Sequence, residues 1–344
     1  MSYDDDIATP PDLAGATYTS AVRSKAAQLK DLLISQTLTD IESWRKAMET
    51  EWASAHPGQP GGPQETIPGK EIESYEREVR DNLYAWIEPA FLRYLGPDPD
   101  AANPMIEALA VVVNTFEGSV DSTGKLTPTS PALSRITDAR IDMDHWQGRF
   151  QENFIDTFLS PLSSVAHNAG MLAKTARALV LINKSNWIRC RRSVLELLDT
   201  AIEAVRVLNN QRDPKACVWT SLTIISIGAV LSAFTPTLAL GTIFTVVGTL
   251  AGAPTDSPTQ NNLAAPTATE VAININNAVT KLDFAAVQTD DRMELAFHQF
   301  YDFLAQERAA HIASNTAGAI SVARPSLDGA SAADVLGGSF VPAR

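Results

Sequence analysis

The chain has 344 residues, 45% hydrophobic, 19% charged and 7% aromatic, which is ample apolar material for one large or two modest cores. Lys and Arg number 27 against 40 Asp and Glu, a net charge of −13 that excludes nucleic acid as a partner, because phosphate neutralisation needs clustered cations. Two cysteines, Cys190 and Cys217, exclude a disulfide framework and a four-ligand zinc site, though one bridge between them stays open.

Residues 1–17 form an acidic tail with Asp4, Asp5, Asp6 and Asp12 and no Lys or Arg. A secretory signal needs a basic stretch followed by an apolar one, and neither stands there. The expectation is a protein made in the cytoplasm that stays there, or leaves by a route that reads no such signal.

Residues 18–100 read as an N-terminal helical region. Over 21–53 the apolar residues Leu29, Leu32, Leu33, Leu38, Ile41 and Trp44 recur three and four apart, the helical period. Thr39-Asp-Ile-Glu42 has the form of a capping box, which predicts two helices meeting near residue 38. Pro57-Gly-Gln-Pro-Gly-Gly-Pro63 cannot continue a helix. Residues 70–95 are the next amphipathic stretch, with a kink or stop expected near Pro89, and 97–104 is a further breaker.

Residues 101–212 carry the densest helical pattern. The stretch 106–116 is short and apolar, 118–130 reads as a loop, and 130–208 as helix with a bend at Pro161. Residues 256–314 hold a last long helix over 267–312, starting just after Pro266, and 315–344 read as a tail rich in Ala, Ser, Gly and Pro. Strand signals are nearly absent and no repeat of 20–50 residues occurs. The fold class expected is all-α: an elongated antiparallel helical bundle with a central apolar helical hairpin.

Charge is unevenly spread. Residues 1–130 are net −11, 131–215 net +3 and 216–344 net −5, and Arg189, Arg191 and Arg192 crowd the basic part. Those arginines suit a solvated helical face paired with the acidic ends, or a docking patch for an acidic partner or anionic lipid.

The apolar hairpin occupies 213–255. From 216 to 255 there is no Asp, Glu, Lys or Arg, and Pro236 divides the run into 218–235 and 237–253. As helices, arms of 18 and 17 residues reach about 25 Å, just short of the ~30 Å hydrocarbon core. Trp219 stands where an interfacial ring would sit, and Gly228, Gly241, Gly248 and Gly252 allow close helix–helix contact. The hairpin is then a buried tip of the bundle, an element stored in soluble form that inserts into a bilayer on a trigger, or a permanent two-span anchor.

Trp146-Gln-Gly148 lies inside the helical pattern, with Phe154 eight positions after the tryptophan. Over residues 130–212 this arrangement resembles the WXG100 family, small helical hairpins of actinobacterial type VII (ESX-like) secretion, in which a helix leads into W-x-G and an aromatic residue follows at that distance. Phe150 departs from the pattern, standing where the family has a small residue. The resemblance implies structural turn roles for Trp146, Gly148 and Phe154, a helical partner or self-association, and export by a type VII route. Type VII cargo also tends to carry Y-x-x-x-D/E after its hairpin. Two matches exist, Tyr84 with Glu88 and Tyr94 with Asp98, but both precede Trp146.

Chemistry is hard to find. No two of His56, His145, His167, His298 and His311 share a helical i, i+3 or i, i+4 spacing, and no phosphate loop, calcium loop or nucleophile elbow occurs. No catalytic residue, metal or cofactor is expected. The leading expectation is a non-catalytic exported substrate or structural partner of type VII secretion. The alternatives are a soluble-to-membrane α-helical pore former or translocation module inserting 218–253, in contact with membrane lipid, and a structural subunit of a phage or injection particle.

Overall fold

The computed structural model describes residues 8–58, 69–116, 118–120, 126–128, 131–143, 154–210, 217–220, 260–314 and 321–322. The fold is all-α. Its long elements are α1 (Gly15–Ala55), α6 (Ser160–Asn210) and α7 (Ala268–Ser314), of 41, 51 and 47 residues. Between α1 and α6 come α2 (Gly69–Glu78), α3 (Ile87–Leu92), α4 (Asn103–Phe116) and α5 (Pro131–Met143).

The main core is made where one face of α1 meets α6, α7 and the segment around α3. On α1 the fully buried side chains Tyr18, Val22, Ala26, Leu29 and Leu33 recur at steps of four, four, three and four, so they form one stripe. Val194, Leu197, Leu198 and Ala201 of α6 face them, as do Val271, Ile275 and Ala278 of α7. Tyr84, Ile87, Phe91 and Tyr94 close the fourth side at helical spacing. A smaller cluster joins Ile106 of α4 to Val180 and Leu181 of α6. Gly170 lets that pair approach, since a Cβ there would stand 3.1 Å from the Phe116 Cβ.

Cross-links give the directions of the helices. Arg191 sits over the Tyr18 ring and Lys25 pairs with Asp199, so α1 and α6 run parallel. Asp40 of α1 accepts from the Ala268 amide at 3.0 Å, at the start of α7. Arg93 and Tyr94 both bind Asp283 farther along it. Because Tyr94 also receives the Tyr18 hydroxyl on its carbonyl, α7 runs antiparallel to α1.

Several sequence expectations need correction. Helix α1 is continuous through residue 38: Thr39 donates back to the Ser35 carbonyl at 3.0 Å and Gln36 donates to Asp40 at 2.9 Å, so the capping-box residues are used inside the helix. The acidic tail ends earlier than residue 17, because Leu13 is fully buried and α1 starts at Gly15. Proline 89 lies in the first turn of α3, where its missing N–H costs nothing, after a π-turn at Val79–Leu83 ends the preceding helix. The loop after α4 contains β1 (Gly118–Val120) paired antiparallel with β2 (Leu126–Pro128), a ladder too short to leave an alternating pattern.

Arg191 is neither solvated nor a docking residue. It is 2% exposed and donates to the carbonyls of Leu13 (2.7 Å), Leu95 (3.1 Å) and Pro97 (3.0 Å) and to the Asp98 carboxylate (3.4 Å). One guanidinium thus ties the N-terminal segment and the turn after α3 to α6, its two terminal nitrogens serving three carbonyls that burial would otherwise leave unsatisfied.

Candidate functional site: a two-stranded neck

After α6 the chain becomes β3 (Val218–Thr220), pairing antiparallel with β4 (Gln260–Asn262) just before α7. The register sets Val218 against Asn262, Trp219 against Asn261 and Thr220 against Gln260, and the Leu263 amide donates to the Cys217 carbonyl at 2.9 Å. Residues opposite one another in such a ladder have Cα atoms about 5 Å apart. The two ends of the 39-residue segment 221–259 are therefore held side by side at one place on the helical body.

Three pairs alone would be marginal in water, so the ladder depends on what anchors it. Trp219 does most of this. Its side chain is 1% exposed, the largest fully buried one among the described residues, and the indole N–H donates to the Ser193 carbonyl at 3.3 Å. Cys217 and Leu263 are fully buried beside it. On the outer side Lys281 donates to Asn261 at 2.5 Å, and the Asn262 side chain accepts from the Ala264 amide at 3.0 Å. Neck strands are thus clamped to α6 through Ser193 and to α7 through Lys281.

This overturns the interfacial placement of Trp219. A buried indole with its N–H satisfied by an α6 carbonyl belongs to the bundle, and Val218–Thr220 is strand rather than the first turn of an apolar helix. Gly228, Pro236, Gly241, Gly248 and Gly252 lie outside the described residues. Among the described residues no helix is long and apolar enough to cross a membrane.

The remaining sequence-predicted residues are dispersed. Trp146 and Gly148 fall outside the described residues, while the Phe154 ring packs on Phe158 with centroids 5.0 Å apart. Tyr84 and Tyr94 are core residues: the Tyr84 hydroxyl bonds Thr37 at 2.7 Å and the Tyr94 hydroxyl donates to Asp283. Glu88 pairs with Lys30 at 3.1 Å, and Asp98 receives Arg191. All four side chains of the two Y-x-x-x-D/E matches are therefore engaged by the fold. Both tyrosines have pKa values raised chiefly by burial.

Both cysteines are free. Cys190 faces the α6–α7 seam beside Leu282 and Asp290, where a cavity of about 30 Å³ has room for about one water. Burial first, then Asp290 and Asp283, pushes its thiol up to about 12, so it is a protonated packing residue rather than a nucleophile. No three His, Cys, Asp or Glu side chains gather to hold a metal among the described residues.

Sequence reasoning missed Ser193, Asn261, Leu263 and Lys281. The available signal was slight: three strand-favouring residues, Val218-Trp219-Thr220, and an Asn-Asn pair before Pro266. The chain matches no protein-family model, no curated protein and no solved structure.

Proposed function

We propose that the protein is a water-soluble helical body that delivers residues 221–255 into a lipid bilayer, acting as an α-helical pore former or translocation module. One observation carries this reading: the 39-residue segment whose two ends meet at a clamped two-stranded neck on the helical body opens with a 35-residue stretch free of Asp, Glu, Lys and Arg. A chain segment tethered at both ends by a short ladder can leave the body without unfolding it. The arms 221–235 and 237–253 now count 15 and 17 residues, about 22 and 25 Å as helices, so crossing a ~30 Å core needs local thinning. In the second arm Gly241, Thr245, Gly248 and Gly252 recur at steps of four, three and four, which suits close packing against the first arm or against further copies.

Dye release from phosphatidylcholine–phosphatidylglycerol vesicles tests it. Wild-type chain should empty the vesicles, whereas Val230→Asp and Gly241→Asp should lose most of that activity, because a carboxylate at the bilayer centre costs about 2.5–3.5 kcal/mol on insertion scales. Equal leakage by all three proteins would refute the reading.

The second reading is a type VII substrate or structural partner acting through helix association. It is favoured by the helical elements on either side of Trp146-Gln-Gly148, α5 before it and the turn at Ile155–Leu159 leading into α6 after it. Unchanged export of Trp146→Ala from a host with a working type VII machine would count against it.

A further inference from the structure

Between α1, α2 and the N-terminus of α7 lies an open groove of about 480 Å³, a volume in the range of small-ligand sites. Its walls carry Trp44 and Arg45 from α1 and Glu71 and Tyr75 from α2, with Asp40 and Thr269 in the lining. Trp44 and Tyr75 are each 50% exposed, so two large aromatic faces border one open space without being needed to fill the core.

The groove's polar groups divide into two sets. Asp40 is occupied: one carboxylate oxygen takes the Gln36 amide and the other caps α7 at Ala268. Thr37 is held by the Tyr84 hydroxyl. Arg45 and Glu71, by contrast, make no direct ion pair among the described residues; Arg45 lies near Glu42, whose carboxylate is already bound by Lys46 at 2.9 Å. Counting Asp40, Glu71 and Arg45, the lining is net −1, which favours a cation, with one guanidinium left for an anion.

We propose that this groove binds phosphocholine, with the trimethylammonium against Trp44 and Tyr75 beside Glu71 and the phosphate on Arg45. A quaternary ammonium is bulky and weakly hydrated, so aromatic faces hold it well, and a planar guanidinium is the natural phosphate partner. The lipid-borne form of this ligand rests on the bilayer reading above; the free form does not.

Two measurements on the full chain test it together. Flotation compares phosphatidylcholine vesicles with phosphatidylethanolamine–phosphatidylglycerol vesicles, and free phosphocholine is titrated by NMR of the tryptophan side chains. Trp44→Ala and Tyr75→Ala should each weaken choline-vesicle binding and phosphocholine affinity roughly tenfold, while Tyr75→Phe, which keeps the ring, stays near wild type. Because both rings are half exposed, the variants should melt close to the wild type. Flotation that occurs equally with both vesicle types, or unchanged phosphocholine affinity in both alanine variants, would overturn the proposal. Saturable phosphocholine binding without flotation on any vesicle would support the groove as a soluble-ligand site and count against the bilayer reading alone.

Discussion

Replacing Trp219 measures how firmly the neck is built into the bundle. Its side chain is 1% exposed and its indole N–H is held by the Ser193 carbonyl. Truncation to Ala removes a fully buried aromatic from a packed site, which costs about 3–5 kcal/mol, part of it from the cavity left behind. Trp219→Phe keeps most of the ring area and forfeits the hydrogen bond and some contact, a loss of about 1–2 kcal/mol. Urea unfolding followed by far-ultraviolet circular dichroism gives both values, and the Phe variant covers the case in which the Ala variant does not fold. Hydrogen exchange should show the amides of 218–220 and 260–262 losing protection first, since Trp219 is the main anchor of the three ladder pairs to α6. A loss below about 1 kcal/mol for Trp219→Ala would mean that the ring is not a core residue, and the account of the neck would fail.

Three further outcomes are expected. Arg191→Met should destabilise by about 3 kcal/mol or more, measured by urea unfolding, because three carbonyls and Asp98 lose a shared donor; a change under about 1 kcal/mol would refute its role as a tie. Asp40→Ala should cost about 1 kcal/mol through the lost cap on α7, with Asp40→Asn recovering much of it in thermal melts. Burial first and Asp291 second raise the pKa of Asp290, so its ionised form weighs against the fold at neutral pH, and that penalty fades as pH falls through the folded pKa. Asp290→Asn should therefore stabilise the protein at pH 7 and have little effect near pH 3; the reverse order in melting temperatures would contradict this sign.

Much of the architecture was legible because helices advertise themselves. The helix over 21–53, the breakers around Pro57 and Pro97, and the start of α7 after Pro266 all follow from period, proline and glycine, although of the stripe read there only Leu29 and Leu33 are fully buried and the core side extends instead back to Tyr18. What escaped was decided by tertiary partners. Thr39 reads as a cap, yet with Leu29 and Leu33 buried on the same helix its hydroxyl bonds back to Ser35 and the helix runs on. Arg191 reads as solvent-facing beside Arg189 and Arg192, and no local pattern reveals the carbonyls of Leu13, Leu95 and Pro97 converging on it. Trp219 was misplaced for the same reason: next to an uncharged run it looks interfacial, whereas its partner, the Ser193 carbonyl, lies 26 residues earlier. In the groove, Trp44 comes from α1 and Glu71 and Tyr75 from α2, so the meeting of the two helices there has no linear signature.

The most direct test of bilayer delivery follows from the register of the neck. Thr220 stands opposite Gln260, so residues 221–259 can be replaced by Asn-Gly, which closes an antiparallel ladder as a two-residue turn. Flotation of wild type and of this deletion with phosphatidylcholine–phosphatidylglycerol vesicles is compared at neutral and mildly acidic pH. The account requires that the deletion keep its helical circular dichroism and its cooperative melt while losing stable association with vesicles, which the wild type retains. Equal flotation of the two proteins, or none by the wild type under either condition, would contradict it.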